Sequence, residues 1–241
     1  TWHVLRYLVE RGHEVILASF VREEEQPHVQ ALRDLCQQVH TVPIKRSRLA
    51  DVGYLLKSNL TGDPFLMLRD NLPGMQETVR KIVTTQEIDV IHADQLTMTQ
   101  FALQGKATSQ GKSSRQFPPE IIFDAHNAVW TIVERMNSNG NPVLKPVLAL
   151  ETRRVKRYEG MLVSAFDFTL AVAEPDRKAL LEALNSYRPN ISFPAERMPV
   201  IPIAVDTKTL QPVERKPGSH NIVTLGTLHY PPNADGIRWF A

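Results

Sequence analysis

The run Ile121-Ile122-Phe123 ends abruptly in Asp124-Ala125-His126-Asn127, and a helical pattern follows. A short apolar run bounded by polar residues fits a strand buried on both faces of a parallel sheet. This stretch limits the fold more than any other. In open α/β sheets the residues just past the carboxyl ends of strands face the ligand crevice. His126 and Asn127 stand at that position. Asn127 also suits an N-cap of the following helix, a reading that leaves His126 unexplained.

The remainder alternates in the same way. Thr1–Arg11 reads as a helix with Val4, Leu5, Leu8 and Val9 on one face, and Gly12 suits the left-handed position after its end. Strands are expected at His13–Ser19, Val39–Ile44, Asp89–His92, Ile121–Phe123, Phe168–Val172 and Met198–Ile203. Helices are expected at Glu23–Cys36, Arg48–Asn59, Pro73–Thr85, Leu96–Ala107, Val129–Asn137, Leu144–Ala165 and Pro175–Ser186. Thr108–Pro119 is polar and rich in Gly, Ser and Pro, which marks a surface loop. Strands separated by helices imply right-handed crossovers and a parallel sheet covered on both faces. The expected class is therefore α/β: a Rossmann-like parallel sheet with flanking helices over residues 1–205.

Residues 206–218 carry prolines, a glycine and charges without periodicity, and read as an interdomain linker. Residues 219–241 read as the start of a second Rossmann-like domain. Its first βα unit comprises strand Ile222–Leu225, the turn Gly226-Thr227 and a helix from Asp235, with Asn233 suited to cap that helix. Both ends of the chain fall within helical patterns, so the sequence reads as a fragment whose first strand and donor-side domain lie elsewhere.

Bulk properties exclude several classes. The formal net charge of +2 over 241 residues is too even for a nucleic-acid partner. No apolar run approaches the roughly 18 residues of a membrane span. Cys36 is the only cysteine, so no internal disulfide can form, and a reducing, cytoplasmic setting is the default. The eight histidines show no metal-ligand spacing, and no metal is expected.

Polar residues recur after the strands. Asp94 and Gln95 follow Asp89–His92, Glu174 follows the Phe168 strand, and Asp206 follows the Met198 strand. In a parallel sheet they converge on one edge, although helix capping accounts for each taken singly. Gly226-Thr227 offers backbone N–H groups where a phosphate can bind. Arg153, Arg154, Lys156 and Arg157 crowd the long helix, either as a solvated face or as a peripheral contact with anionic lipid.

The order of segments resembles glycosyltransferase family 4, retaining enzymes of the GT-B fold. LVERGHEVILAS is similar to that family's first helix and second strand, and IDVIHADQLTMTQFA to its strand leading to the acceptor-side loop. FDAHNAVWTIVERM resembles its Asp-x-His-Asn segment. RRVKRYEGMLVSAFDFTLAVAEPDRKAL resembles the helix and strand ending in Val-Ser-Glu-x-Asp. MPVIPIAVDT is similar to the crossover, and IVTLGTLHYPPNADGIRWFA to the opening of the donor domain. Ala173 replaces a frequent Ser, and Ile203-Ala204 a frequent Asn-Gly.

The resemblance implies transfer of a sugar from a nucleotide-sugar donor, which is a substrate and not a cofactor, to a sugar or lipid-linked acceptor. Anomeric configuration is retained and no metal or other cofactor is needed. The implied setting is cell-envelope polysaccharide synthesis, in the cytoplasm or at the inner face of the membrane. His126 would lie near the transferred sugar. Asp94, Gln95, Asn127 and Glu174 would face the acceptor, and Gly226 and Thr227 the donor diphosphate. The fragment alone is expected to be inactive. Two alternatives remain: a sugar-nucleotide 2-epimerase-like enzyme, and a non-catalytic α/β binding module.

Overall fold

Among the described residues every strand pairing is parallel, as short apolar runs joined through helices require. The computed structural model describes residues 2–110, 117–139, 142–207, 209–214, 216–228 and 231–240. Thr108–Gln110, expected in a loop, are helical, and Thr1, residues 111–116 with Lys112 and Arg115, and Tyr230 lie outside the described residues. The chain order is α1 (Trp2–Glu10), β1 (Ile16–Val21), α2 (Val29–Leu35), β2 (Gln38–Pro43), α3 (Arg48–Thr61), α4 (Phe65–Asp70) and α5 (Pro73–Thr85). There follow β3 (Val90–Asp94), α6 (Thr99–Gln110), β4 (Glu120–Ala125), α7 (Val129–Asn139), α8 (Lys145–Ala165), β5 (Phe168–Ala171), α9 (Glu174–Tyr187) and α10 (Pro231–Phe240). This is an α/β architecture consistent with a Rossmann-like fold. By its contacts the chain divides into two units, Thr1–Ala204 and Val205–Ala241.

In the first unit the parallel sheet is divided into two ladders, a 2-stranded one of β1 and β2 and a 3-stranded one in the order β3-β4-β5. The main core lies around the second. Ile121 and Phe123 of β4, Leu162 of α8, Phe166 just after it, Leu180 of α9 and Met198 are almost fully enclosed. Phe123 and Phe166 meet with tilted rings, 5.9 Å between centroids and 57° between planes. Val42, Met75 and Phe101 form a smaller cluster, in which Phe101 of α6 meets Phe20 of β1 edge to face. That contact ties the two-stranded ladder to the helices beside the other.

Several elements differ from their sequence expectations for identifiable reasons. Gly12 takes φ +84° and ends α1 as foreseen, but the first strand begins later, at Ile16. Glu23–Cys36 is not one helix. Pro27 lacks the N–H that an α-turn needs, so Glu23–His28 winds as a 3-10 turn before α2. Leu96–Met98 is likewise 3-10, and α6 starts at Thr99. Met198–Ile203 contributes a single bridge, Val200 to Ala171. Pro199 and Pro202 bracket Val200 and cannot donate to a ladder. Ile222–Leu225 forms no ladder among the described residues, and its side chains at 222, 223 and 225 are exposed. A strand has no regular partner for its backbone until a neighbour lies alongside it.

At the amino edge of the larger sheet, Asp167 acts as a clasp. Its Oδ2 accepts from Lys106 Nζ at 2.6 Å and from the Ile121 N–H at 2.8 Å. Arg197 donates through Nε to the Asp167 carbonyl at 2.9 Å, and also to the Phe166 carbonyl. Burial raises the Asp167 carboxyl, but Lys106, the Ile121 amide and Arg197 outweigh it and hold the group below the usual carboxylate range.

Candidate functional site

The site lies at the opposite, carboxyl edge. Parallel register sets Asp94, the last residue of β3, beside Asp124 in β4. Both point to one face because their strands run in phase. Like charges side by side repel, and two histidines answer them. His92, two residues before Asp94 on the same face, brings Nε2 to 3.4 Å from Asp124 Oδ2. His126, just past β4, brings Nε2 to 2.7 Å from Asp94 Oδ1 and 3.9 Å from Asp124 Oδ2. Burial raises the Asp124 carboxyl. Its hydrogen bond with His92 and the charges of His92 and His126 overcome that effect and hold it below its usual value.

Asp94 therefore belongs to the strand, not to the loop beyond it, and its carboxylate meets His126. Gln95 follows with φ 76°, an uncommon backbone state for a non-glycine, and its N–H donates to the Asp124 carbonyl at 3.1 Å. That bond locks the turn after β3 to the end of β4. The Gln95 and Asn127 side chains are exposed at this edge.

Asn127 does not cap α7. The N–H groups of Val129 and Trp130 donate to the two carboxyl oxygens of Glu159 in α8, at 2.8 and 2.9 Å. Asp176 of α9 accepts from the Ala128 N–H at 3.0 Å. Glu159 is 0% exposed. Burial pushes its carboxyl up to about 7; the two amides pull the other way, and nearby Asp176 adds to the rise. A helix N-terminus at this place in an α/β fold is a ready anion site. Here the chain's own carboxylates fill it, so a ligand phosphate has no room at those amides.

Glu174 is an exposed first residue of α9, paired with Arg177 at 3.3 Å. The structure does not bring it to the histidine cluster. Gly226 and Thr227 belong to the second unit, where Asn233 does not act as a cap: its Nδ2 donates to the Thr227 carbonyl at 3.2 Å. In α8, Arg154 is bound by Ser58 and Asn59, and Lys156 by Glu182 and the face of Trp130 at 4.0 Å. Half of the basic run, expected either as a solvated face or as a lipid contact, is thus engaged within the protein.

One ligand atom each from Asp94, Asp124 and His126 lie within 4.8 Å of one another, close enough to surround one cation. The 2.7 Å separation of His126 and Asp94 is also the length of a direct charge-assisted hydrogen bond. With Nε2 turned to Asp94, Nδ1 is the ring nitrogen left for a ligand. Comparison of the chain with protein-family models, with curated proteins and with solved structures finds no match.

Proposed function

We propose that the protein is a retaining glycosyltransferase that moves a sugar from a nucleotide-sugar donor to a sugar or lipid-linked acceptor. The observation that carries this reading is the Asp94–His126 pair at the carboxyl edge of a parallel sheet, whose histidine belongs to the Asp124-Ala125-His126-Asn127 segment that resembles family 4. In the reaction, the bond from the anomeric carbon to the diphosphate oxygen breaks and its electron pair leaves with the diphosphate. The acceptor hydroxyl bonds to the same face of the sugar, and its proton passes to the departing phosphate oxygen.

In this proposal His126 Nε2–H donates to Asp94, and Nδ1 accepts a hydrogen bond from a hydroxyl of the transferred sugar. The carboxylates of Asp94 and Asp124 favour the positive charge that grows on the sugar, a form of electrostatic preorganisation. Gln95 and Asn127 are offered to the acceptor. The resemblance assigns the diphosphate to Gly226 and Thr227, and the amides of α7 are occupied by Glu159 and Asp176. The proposed setting is the cytoplasm, at the inner face of a membrane that supplies the acceptor.

The test is donor turnover by the protein and its His126→Ala variant. Loss of one transition-state contact lowers turnover by a factor on the order of a hundred or more, with melting temperature nearly unchanged. A variant that is destabilised yet turns over normally would make His126 structural and remove the proposal. Conversion of the donor to its 2-epimer without an acceptor would transfer the site to the epimerase class.

A further inference from the structure

Helix α3 turns its apolar side to solvent. Leu49 and Leu60 are each 87% exposed, Leu56 62% and Val52 57%. At 3.6 residues per turn these four fall within an arc of about 80° and extend about 16 Å along the axis. The opposite side faces inward. Ser58 is fully buried and donates to the Asp63 carbonyl at 2.7 Å. Arg154 of α8 donates to Ser58 Oγ at 2.9 Å and to Asn59 Oδ1 at 3.0 Å. The protein thus holds α3 by its polar residues and leaves a ridge of leucines outside.

The charges around the ridge are selective. Arg48 and Lys57 flank it on either side and Lys45 precedes the helix, all exposed. None of the three has an ion-pair partner among the described residues, whereas Arg46 is paired with Asp70. Asp51 is the only acid in α3 and lies half-buried on the side away from the stripe. Exposed apolar residues on soluble proteins are ordinarily scattered. An aliphatic ridge with cations on both flanks and no acid beside it is the pattern of a helix that lies in a lipid interface.

We propose that α3 docks the protein onto an anionic bilayer surface. Leu49, Val52, Leu56 and Leu60 enter the boundary between headgroups and acyl chains, and Lys45, Arg48 and Lys57 meet the lipid phosphates. Charge complementarity selects this occupant over a neutral apolar partner. The inference deepens the membrane-face setting proposed above while standing on the geometry of α3 alone, and it assigns lipid contact to α3 rather than to the basic run of α8.

Co-sedimentation with vesicles of phosphatidylcholine, with and without phosphatidylglycerol, tests it. The protein is expected to bind the anionic vesicles and to release as salt rises. Lys45→Gln, Arg48→Gln and Lys57→Gln together should weaken binding by about a hundredfold, at about 1 kcal/mol per basic residue. Leu49→Ser with Leu60→Ser should cost a factor on the order of a hundred even at low salt. Both variants should keep the parent melting temperature, because the altered side chains are exposed. Failure to bind anionic vesicles, or equal binding by these variants, would overturn the proposal. So would a loss of binding that follows Arg153→Gln and Arg157→Gln instead. If Leu49→Ser with Leu60→Ser converts a dimer to a monomer and vesicle binding is absent, the face is a contact between copies and the lipid proposal fails.

Discussion

Gly160 in α8 lies directly against the backbone of Ala183 in α9. A Cβ added to Gly160 would stand 2.2 Å from the Ala183 carbonyl oxygen and 2.8 Å from the Tyr187 Cβ. The approach fixes how near the two helices run, and with it the meeting of Glu159 and Asp176 at the start of α7. Gly160→Ala is expected to destabilise the protein by about 3 kcal/mol, the upper end of ordinary overpacking, because the obstacle is backbone. For a chain of this size that is a fall in melting temperature of roughly 10 °C. Unchanged melting would mean that α8 and α9 can part at little cost.

Glu159 gives stability a distinct pH dependence. Its folded value of about 7 lies above the ordinary 4.5, so between these limits the native state keeps a proton that the unfolded chain has released. Stability therefore falls as pH rises through that window, by about 3 kcal/mol in all, and is level above it. Glu159→Gln removes the titration but places an NH2 group against one of two amide donors, costing about 1–3 kcal/mol. Urea midpoints at about pH 5 and about pH 8 should differ less in the variant than in the parent. Equal differences in both proteins would assign the slope to another group.

Asp94→Asn keeps the shape of the site and removes a charge. The imidazole of His126 loses its carboxylate partner at 2.7 Å, and a neutral amide no longer holds the ring in one tautomer. If His126 acts as proposed, donor turnover should drop by a factor of about a hundred. Donor KM should change little, since the diphosphate is assigned elsewhere. A rise in KM with turnover unaltered would make Asp94 a binding residue only.

Chelation separates the two chemistries open to Asp94, Asp124 and His126. If the proposed reaction holds, a direct hydrogen-bonded pair predicts that protein treated with EDTA keeps its donor turnover. Loss of turnover on treatment, with recovery on adding Mn²⁺ or Zn²⁺, would instead make the three residues a cation site.

Asp167 predicts sensitivity to acid at the other edge of the sheet. Its carboxyl is held below the usual range, so its stabilisation is complete above the unfolded value and is lost as pH falls through the lower folded one. Asp167→Ala leaves the enclosed Ile121 N–H without its acceptor and should cost about 1–3 kcal/mol. Thermal melts at neutral pH measure that loss. Donor turnover per folded molecule should be unaffected.

The strand ending at Ala125 was legible because Ile121–Phe123 is apolar and the residues after it are not. Asp94 and His126 could be placed on one edge by the same logic, since parallel strands share a direction. The pairing of Asp124 with His92 beside them was not legible. It depends on register, which sets Asp94 against Asp124, and register is not written in either strand alone. Glu159 was hidden for another reason. In sequence it belongs to a charged stretch with Arg157 and Lys156, and only the arrival of two amide donors from α7 makes a buried carboxylate tolerable there. The prolines at 199 and 202 were a readable signal against the Met198–Ile203 strand. The exposed leucines of α3 follow a helical pattern that looks the same whether the stripe faces a core or solvent.

The clasp at Asp167 and the cluster at His126 occupy opposite ends of the same strands. One end binds β4, β5 and α6 together, while the other presents Gln95 and Asn127 on turns whose backbone is already secured, by the Asp124 carbonyl and by Glu159. Such a division separates what may vary from what must not. Libraries randomised at Gln95 and Asn127 should retain many folded members with altered ligand preference, while libraries at Asp167 and Arg197 should retain few. Side chains at the carboxyl edge can thus change during descent without renegotiating the cohesion of the sheet.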